Sequence, residues 1–435
     1  MTATDSPRIC VIGAGPCGLT TVKNLLAQGL TDVACYDEGD AIGGNWNFTE
    51  NPERVSVYES THLISSKSYS GFEDFPMPEN YPDFPSHRQM LAYFESYAAH
   101  FKLLPFIHLR TRVENAVLRE DGRWTVNISE AGGRREEAFD FLLICSGHHR
   151  DPYIPAYPGS FAGTTMHSRD FKRPEPFRGK RVLVVGAGNS ACDIAVDVSR
   201  VAARTCLSMR RGYYLIPKLV FGRPIDVLYA RCKRRLPRWL LQPVLGGLLR
   251  LSVGPYEKYG LRQPDCGPLE MHPTLNSNIL LALRHGTVTP RPGIERLEGN
   301  EVYFSDGSNE TFDTIIFGTG FRIAFPFLDR SLVNWDANRP PPLYLKMMDA
   351  RTPALYFIGL FQPIGCIWRL ADFQARIAAL QIAGRLDRPS ALDQKADREM
   401  HAPHWHYNAT PRHAVEVDYH DFRAALLTEL AAARG

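Results

Sequence analysis

The sequence predicts an α/β fold built from two parallel-sheet units, and three observations carry that expectation. Two glycine-rich strand–turn–helix strings are present, Val11-Ile12-Gly13-Ala14-Gly15-Pro16-Cys17-Gly18 and Val184-Val185-Gly186-Ala187-Gly188-Asn189-Ser190-Ala191. Each is followed by a second glycine string, Asp140-Phe141-Leu142-Leu143-Ile144-Cys145-Ser146-Gly147 and Asp313-Thr314-Ile315-Ile316-Phe317-Gly318-Thr319-Gly320. Gly13 to Gly147 and Gly186 to Gly320 are both 134 residues, so the chain reads as a long-range duplication.

In the first string an apolar strand, Ile9 to Ile12, must turn sharply into a helix and present its amides to a pyrophosphate. Gly13 permits the turn, Gly15 lets a phosphate approach the backbone, and Gly18 lets helix and strand pack closely. The helix carries Leu19, Val22, Leu25 and Leu26 on one face and is expected to end at Gly29. A second strand, Val33 to Tyr36, delivers Asp37 nineteen residues past Gly18, where a carboxylate accepts ribose hydroxyls. Two dinucleotide sites in one chain imply electron transfer from one dinucleotide to another, so redox chemistry is expected.

The second copy differs at the strand tip. Cys206-Leu207-Ser208-Met209-Arg210-Arg211 contains no acid. A carboxylate there would repel the 2′-phosphate of NADP, whereas paired arginines would bind it. A solvated basic turn is the alternative; the position favours NADPH over NADH.

Composition fits an ordinary enzyme. At 435 residues the chain is expected to form two or three domains, and its net charge of +3 gives no argument for nucleic acid. Nine cysteines include no CxxC, and Cys10, Cys35 and Cys145 fall in strands expected to be buried, so reduced structural thiols in the cytoplasm are expected. The start Met1-Thr2-Ala3-Thr4-Asp5 lacks a charged–apolar leader, and no apolar run reaches about eighteen residues, so no transmembrane segment is expected.

Between the two glycine units, Phe161-Ala162-Gly163-Thr164-Thr165-Met166-His167-Ser168-Arg169-Asp170-Phe171 fits F-x-G-x-x-x-H-x-x-x-[Y/F]. With Gly43-Gly44-Asn45-Trp46, Asp74-Phe75-Pro76-Met77-Pro78, Phe317-Gly318-Thr319-Gly320-Phe321 and Gly359-Leu360-Phe361-Gln362-Pro363-Ile364-Gly365, the chain resembles the flavin-containing monooxygenases from Arg8 to about Arg385. These single-chain flavoproteins are related to the Baeyer–Villiger monooxygenases. The resemblance implies two Rossmann-like dinucleotide-binding domains, the NADPH domain inserted into the FAD domain. It implies FAD in the first site and NADPH in the second, with hydride passing to the flavin and O2 adding to give a C4a-hydroperoxyflavin. An amine nitrogen or sulfide sulfur of a small molecule would attack that oxygen directly, so the protein would exclude water and hold NADP+ rather than supply an acid. Phe171 stands where the Baeyer–Villiger version of the string has Trp, which favours heteroatom oxygenation.

The cofactor-binding residues so implied are Gly13, Ala14, Gly15, Pro16, Cys17, Gly18, Asp37, Asn45, Trp46, Val113 and Gln362 for FAD. Gly186, Gly188, Asn189, Ser190, Ala191, Arg210 and Arg211 serve NADPH. One departure concerns the reacting centre. The family has an asparagine three residues before the Lys of a Thr-Asn-x-x-Lys stretch, and Leu63-Ile64-Ser65-Ser66-Lys67 puts Ile64 there. A hydrocarbon in that place implies leakage of hydrogen peroxide. Ser65, Ser66 or His62 could donate instead, so His62, Ile64, Ser65 and Ser66 are the candidate catalytic residues; His62 also has a structural reading.

The FAD domain is expected over 1–170 and 322–435, and the NADPH domain over 171–321 with an insertion at about 213–271. The two sites are expected to face each other, with substrate reaching them near Trp46, His62, Ile64 and Trp368. The insertion holds Arg231, Lys233, Arg234, Arg235 and Arg238 beside Trp239-Leu240-Leu241 and Leu248-Leu249, interrupted by Pro243, Gly246 and Gly247. A lid or a subunit interface is favoured over peripheral membrane contact, and a homodimer is expected. His401, His404, His406 and His413 fix no metal geometry, so no metal is expected. A short helix from about Phe422 to Ala433 is expected to close the chain on the FAD domain. Alternatives left open are Baeyer–Villiger oxygenation of a ketone, a largely uncoupled NADPH oxidase, and an NADPH-dependent flavoprotein reductase, the last disfavoured by the missing CxxC.

Overall fold

A computed structural model of the chain describes residues 6–268, 270–333, 341–401 and 415–433. They gather into two compact units. The first comprises Met1–Asn47, Lys67–His148 and Ile323–Gly435; the second comprises Phe48–Ser66 and His149–Arg322.

The first unit is built on a parallel sheet in the order Leu355–Phe357, Phe141–Ile144, Ile9–Ile12, Val33–Tyr36, Ile107–His108. Ile9–Ile12 and Val33–Tyr36 are buried at every position, which explains why they read as unbroken apolar runs and not as alternations. The second unit repeats the plan: Thr164–His167, Thr314–Phe317, Arg181–Val185, Arg204–Ser208, Thr289–Arg291, again all parallel.

The duplication extends to individual hydrogen bonds. The acid that opens each second glycine string accepts the amide at the start of the first strand, Asp140 from Arg8 and Asp313 from Arg181, both at 2.7 Å. Gly13 N–H donates to the Tyr36 carbonyl and Gly186 N–H to that of Ser208. Each unit also carries a three-strand antiparallel meander, Arg112–Leu118, Trp124–Glu130 and Gly133–Phe139 in the first, Ile294–Gly299, Glu301–Phe304 and Asn309–Thr311 in the second.

Two stretches expected in the FAD domain lie in the second unit. Residues 149–170 do so because Thr164–His167 pairs with Thr314–Phe317 as an edge strand of the second sheet. Residues 48–66 do so through hydrogen bonds described below.

In the first unit the helix Pro16–Ala27 packs on Ile367–Ile382, and a buried ion pair joins them. Lys23 Nζ lies 2.8 Å from Asp372 Oδ1 and 2.6 Å from Asp74. The Asp372 carboxylate also accepts from Thr20 and Asn24. Burial alone would raise the Asp372 pKa, but Lys23 and these donors hold it below its ordinary value. The closing helix runs Tyr419–Leu430, three residues earlier at its start than expected, because Asp418 caps it by accepting from the amides of His420 and Asp421. Phe422 of that helix meets Phe361 with ring centroids 4.9 Å apart.

Within the insertion, helices Ile225–Arg235 and Arg238–Ser252 follow one another, and Leu215–Ile216 pairs with Thr274–Leu275. The second helix contains Pro243 in its interior. Lys233, Arg234 and Arg235 occupy the last turn of the first helix, where cations complement the helix dipole. Among the described residues no helix is long and apolar enough to cross a membrane.

Candidate functional site

The two glycine turns are sterically obligatory. Gly13 has φ +105°, and a Cβ on Gly18 would stand 1.8 Å from the Gly13 carbonyl oxygen, so the helix can sit against the strand only if residue 18 has no side chain. In the second copy Gly186 has φ +134°, and the small residue has changed places. Ala191 stands where Gly18 was, and Gly318, whose Cβ would lie 2.7 Å from that of Ala191, stands where Cys145 was.

Both fingerprint helices are open at their N-termini. Pro16–Ala27 starts at Gly15, and Asn189–Val198 starts at Gly188; neither has a side-chain cap or an acid in its first turn. By contrast Ser86, Asn276 and Asp418 cap their helices with side-chain oxygens. An uncapped N-terminus keeps amide donors and the positive end of the dipole for an anion. Both turns therefore fit a dinucleotide pyrophosphate.

In the first unit Asp37 is fixed at its strand tip, its carboxylate accepting from Ala14 N–H and Gly39 N–H, both at 2.7 Å. Cys17 packs under Gly359, and burial pushes its thiol up to about 12, so it is an inert packing group. All nine cysteines are free. Asn45 and Trp46 sit on a single 3-10 turn, Gly44–Trp46, with Asn45 exposed and Trp46 half-buried. Val113 is buried in the core with its side chain, which leaves its main chain for any ligand. Trp368, expected where substrate arrives, is instead a core residue. Its Nε1 donates to the Ser70 carbonyl at 2.6 Å, and its ring meets Trp46 edge-on at 5.7 Å.

Gln362 hydrogen-bonds with His148, a contact that no local sequence pattern marks. Burial lowers the His148 pKa from 6.5 to about 4, against weaker opposite pulls from Gln362 and the Gly359 backbone. The folded protein thus holds this imidazole neutral, while the unfolded chain takes up a proton below about pH 6.5. Stability is therefore full above that pH and falls as pH drops towards 4, by about 3 kcal/mol across the window. His148→Gln is expected to flatten the slope of denaturation free energy between about pH 7 and pH 5. An unchanged slope would remove His148 as its source.

In the second unit Asn189 Oδ1 accepts from Leu275 N–H at 2.9 Å, and Ser190 lies in the first turn of the same helix. Met209 N–H donates to the Arg291 carbonyl as Asp37 N–H does to that of His108, so Met209 occupies the place of the ribose acid and Arg210 and Arg211 follow it. Arg210 is exposed. The Arg211 guanidinium lies 5.8 Å from the Tyr213 ring, and its Nε is buried without a hydrogen-bond partner among the described residues. An orphaned cationic donor beside a second cation fits a phosphate.

The loop with the candidate catalytic residues belongs to this second unit. His62 is exposed, and its Nδ1 donates to the Ser60 carbonyl at 2.8 Å. Ser65 and Ser66 are buried and Ile64 is 39% exposed, so Ile64 is the one presented outward. In the first unit, Lys67 donates to the carbonyls of Glu79 and Tyr81. The loop's partners Asp193, Asp197, Lys218 and Asp226 were not singled out from sequence. Only the Asp193–Asp197 spacing on one helix face gave a signal. Among the described residues no group of three or more His, Cys, Asp or Glu is placed to hold a metal ion; His404, His406 and His413 lie outside those residues.

Comparison with known proteins is consistent across the chain. The family described as "Flavin-binding monooxygenase-like" matches residues 6–434. Flavin-containing monooxygenase 5 of Rattus norvegicus is 36% identical over 440 residues, covering 95% of this chain and 81% of the relative. Dimethylaniline monooxygenase [N-oxide-forming] 2 of Rattus norvegicus is 36% identical over 408 residues, covering 90% of this chain and 76% of the relative. In fold, the chain is similar to the S-allyl-L-cysteine S-oxygenase of Allium sativum, with TM-score 0.74 and 24% identity over 99% of this chain and 89% of that one.

Proposed function

The chain belongs to the flavin-containing monooxygenase family, and on that premise we propose that it oxygenates a soft nucleophile, an amine nitrogen or a sulfide sulfur, of a small molecule. It is a flavin-dependent monooxygenase that uses FAD and NADPH. Bound FAD, reduced by NADPH, supplies the activation of O2, and the protein supplies binding, orientation and exclusion of water.

Gly13 to Gly18 and the open helix N-terminus at Gly15 would hold the FAD pyrophosphate, and Asp37 its ribose. The N-terminus at Gly188 would hold the NADPH pyrophosphate, and Arg210 and Arg211 its 2′-phosphate. The observation that carries the two-cofactor reading is the contrast between the strand tips: a carboxylate held by two amides in one unit, a methionine followed by two arginines in the other. The N-oxide-forming activity for which the dimethylaniline monooxygenase relative is named supports nitrogen as an acceptor. A nucleophilic nitrogen or sulfur attacks without help from a protein acid, and the hydrocarbon Ile64 is compatible with that. Ile64 also favours a second reading, in which much of the NADPH consumed ends as hydrogen peroxide.

Replacing both Arg210 and Arg211 by Ala is expected to raise the KM for NADPH about tenfold or more and to leave NADH nearly unchanged. Each charge-assisted phosphate bond lost costs on the order of 1.5–3 kcal/mol. Equal effects on the two coenzymes would make the pair a structural basic turn. The oxygenation reading itself requires that a tertiary amine or a thioether accelerate NADPH oxidation and leave as N-oxide or S-oxide; amine and thioether both recovered unchanged would refute it.

A further inference from the structure

Residues 48–66 lie between two segments of the first unit in sequence, yet hydrogen bonds tie them to the second. Lys172 Nζ donates to the Ser56 carbonyl at 3.0 Å, and Tyr58 OH donates to Asp193 at 2.7 Å. Ser60 donates to Asp197, one turn further along the same helix. The last part of the segment is held by the insertion. Lys218 Nζ donates to the Leu63 carbonyl at 2.9 Å, and Ser66 N–H donates to Asp226 Oδ2 at 2.6 Å. The other Asp226 oxygen accepts from Val227 N–H at 2.8 Å, so that carboxylate is itself fixed at the start of its helix.

These last two bonds bracket Ile64 and Ser65 and grip only main-chain atoms. They set the loop's backbone whatever its side chains are. The outcome is visible in exposure: Leu63 at 3%, Ser65 at 6% and Ser66 at 0% point inward, while Ile64 at 39% points out. Holding the Lys218 ammonium half-buried costs desolvation, which lowers its pKa against the pull of Asp193. A charge kept there at a cost, bonded to one carbonyl of this loop, indicates a placed group.

Resting on the oxygenase reading above, we propose that Lys218 and Asp226 are positioning residues by which the insertion clamps the 63–66 loop, and that this clamp sets how reducing equivalents are divided. In coupled turnover NADPH, a proton, O2 and substrate give NADP+, water and oxygenated substrate. In uncoupled turnover NADPH, a proton and O2 give NADP+ and hydrogen peroxide. A loop free to move admits water beside the coenzyme and shifts the division towards peroxide.

The test uses the full FAD-loaded chain with Asp226→Ala, Asp226→Asn and Lys218→Met, and N,N-dimethylaniline as the probe. Hydrogen exchange of peptides spanning residues 60–67, measured without NADPH, is expected to quicken at least tenfold in Asp226→Ala. The peroxide formed per NADPH is expected to rise at least twofold in Asp226→Ala and Lys218→Met, with the rate of NADPH oxidation at saturation held within about twofold. Asp226→Asn keeps an acceptor oxygen and is expected to restore most of both properties. Unchanged exchange overturns the clamp. Faster exchange with an unchanged peroxide share, or a lowered melting temperature as the sole effect, reduces it to a structural contact. A wild-type enzyme that makes no N-oxide would refute the amine-oxygenase reading, and the exchange measurement would still decide the clamp.

Discussion

Asp37→Ala is expected to strip the protein of its flavin. The carboxylate is held in place by the amides of Ala14 and Gly39, one on each oxygen. A carboxylate oxygen accepts more than one hydrogen bond, so each retains capacity for a ribose hydroxyl. Alanine removes both charge-assisted bonds to the ligand, at about 1.5–3 kcal/mol each, and also frees the turn amide of Ala14. The dissociation constant for FAD should rise by two orders of magnitude or more. Flavin absorbance after extensive dialysis measures retention, and quenching of flavin fluorescence on rebinding measures affinity. Asp37→Asn, with one acceptor oxygen left, should fall between. Full retention by the alanine variant would mean that Asp37 serves the turn and not the ribose.

The second large effect is on stability. Asp372→Ala leaves the Lys23 ammonium buried with Asp74 as its remaining ion-pair partner. It also removes the acceptor used by Thr20 and Asn24. Breaking a buried pair by deleting one member costs about 3–5 kcal/mol, and Asp74, more exposed, should hold the loss near the lower end. Because Asp372 is held below its ordinary pKa, its contribution is present above the usual carboxylate range and is lost as pH falls through the lowered value. Urea denaturation should therefore show the largest gap between wild type and variant near neutral pH and a shrinking gap in acid. The double change Lys23→Met, Asp372→Leu should recover much of the loss, since it leaves no unpaired charge. A single-variant loss under about 1 kcal/mol would show that the pair contributes little net stability.

Both sheets were legible in the sequence because their central strands are continuous apolar runs punctuated by glycines that only one backbone conformation explains. The equal spacing of the glycine strings announced the duplication, and the structure carries it down to the Asp140 and Asp313 bonds. Thr164–His167 was hidden as a strand because two of its four residues are exposed, so it lacks the buried run that marks the central strands. The membership of residues 48–66 was not legible at all. It is decided by bonds such as Tyr58 to Asp193 and Ser66 to Asp226, which span 135 and 160 residues and leave no local pattern. Trp368 was misplaced for a different reason. An indole looks equally suited to a binding wall or a core, and the Ser70 carbonyl that satisfies its N–H lies 298 residues away.

The most direct measurement is oxygen transfer itself. Purified FAD-loaded enzyme should be given NADPH, N,N-dimethylaniline and isotopically labelled O2, and the amine product examined by mass spectrometry with peroxide counted in parallel. The expected result is an N-oxide carrying one labelled oxygen atom, with N-oxide and peroxide together equal to the NADPH consumed. NADPH oxidation whose oxygen appears only as peroxide, or an N-oxide whose oxygen is unlabelled, would contradict the assignment of this chain as an amine oxygenase.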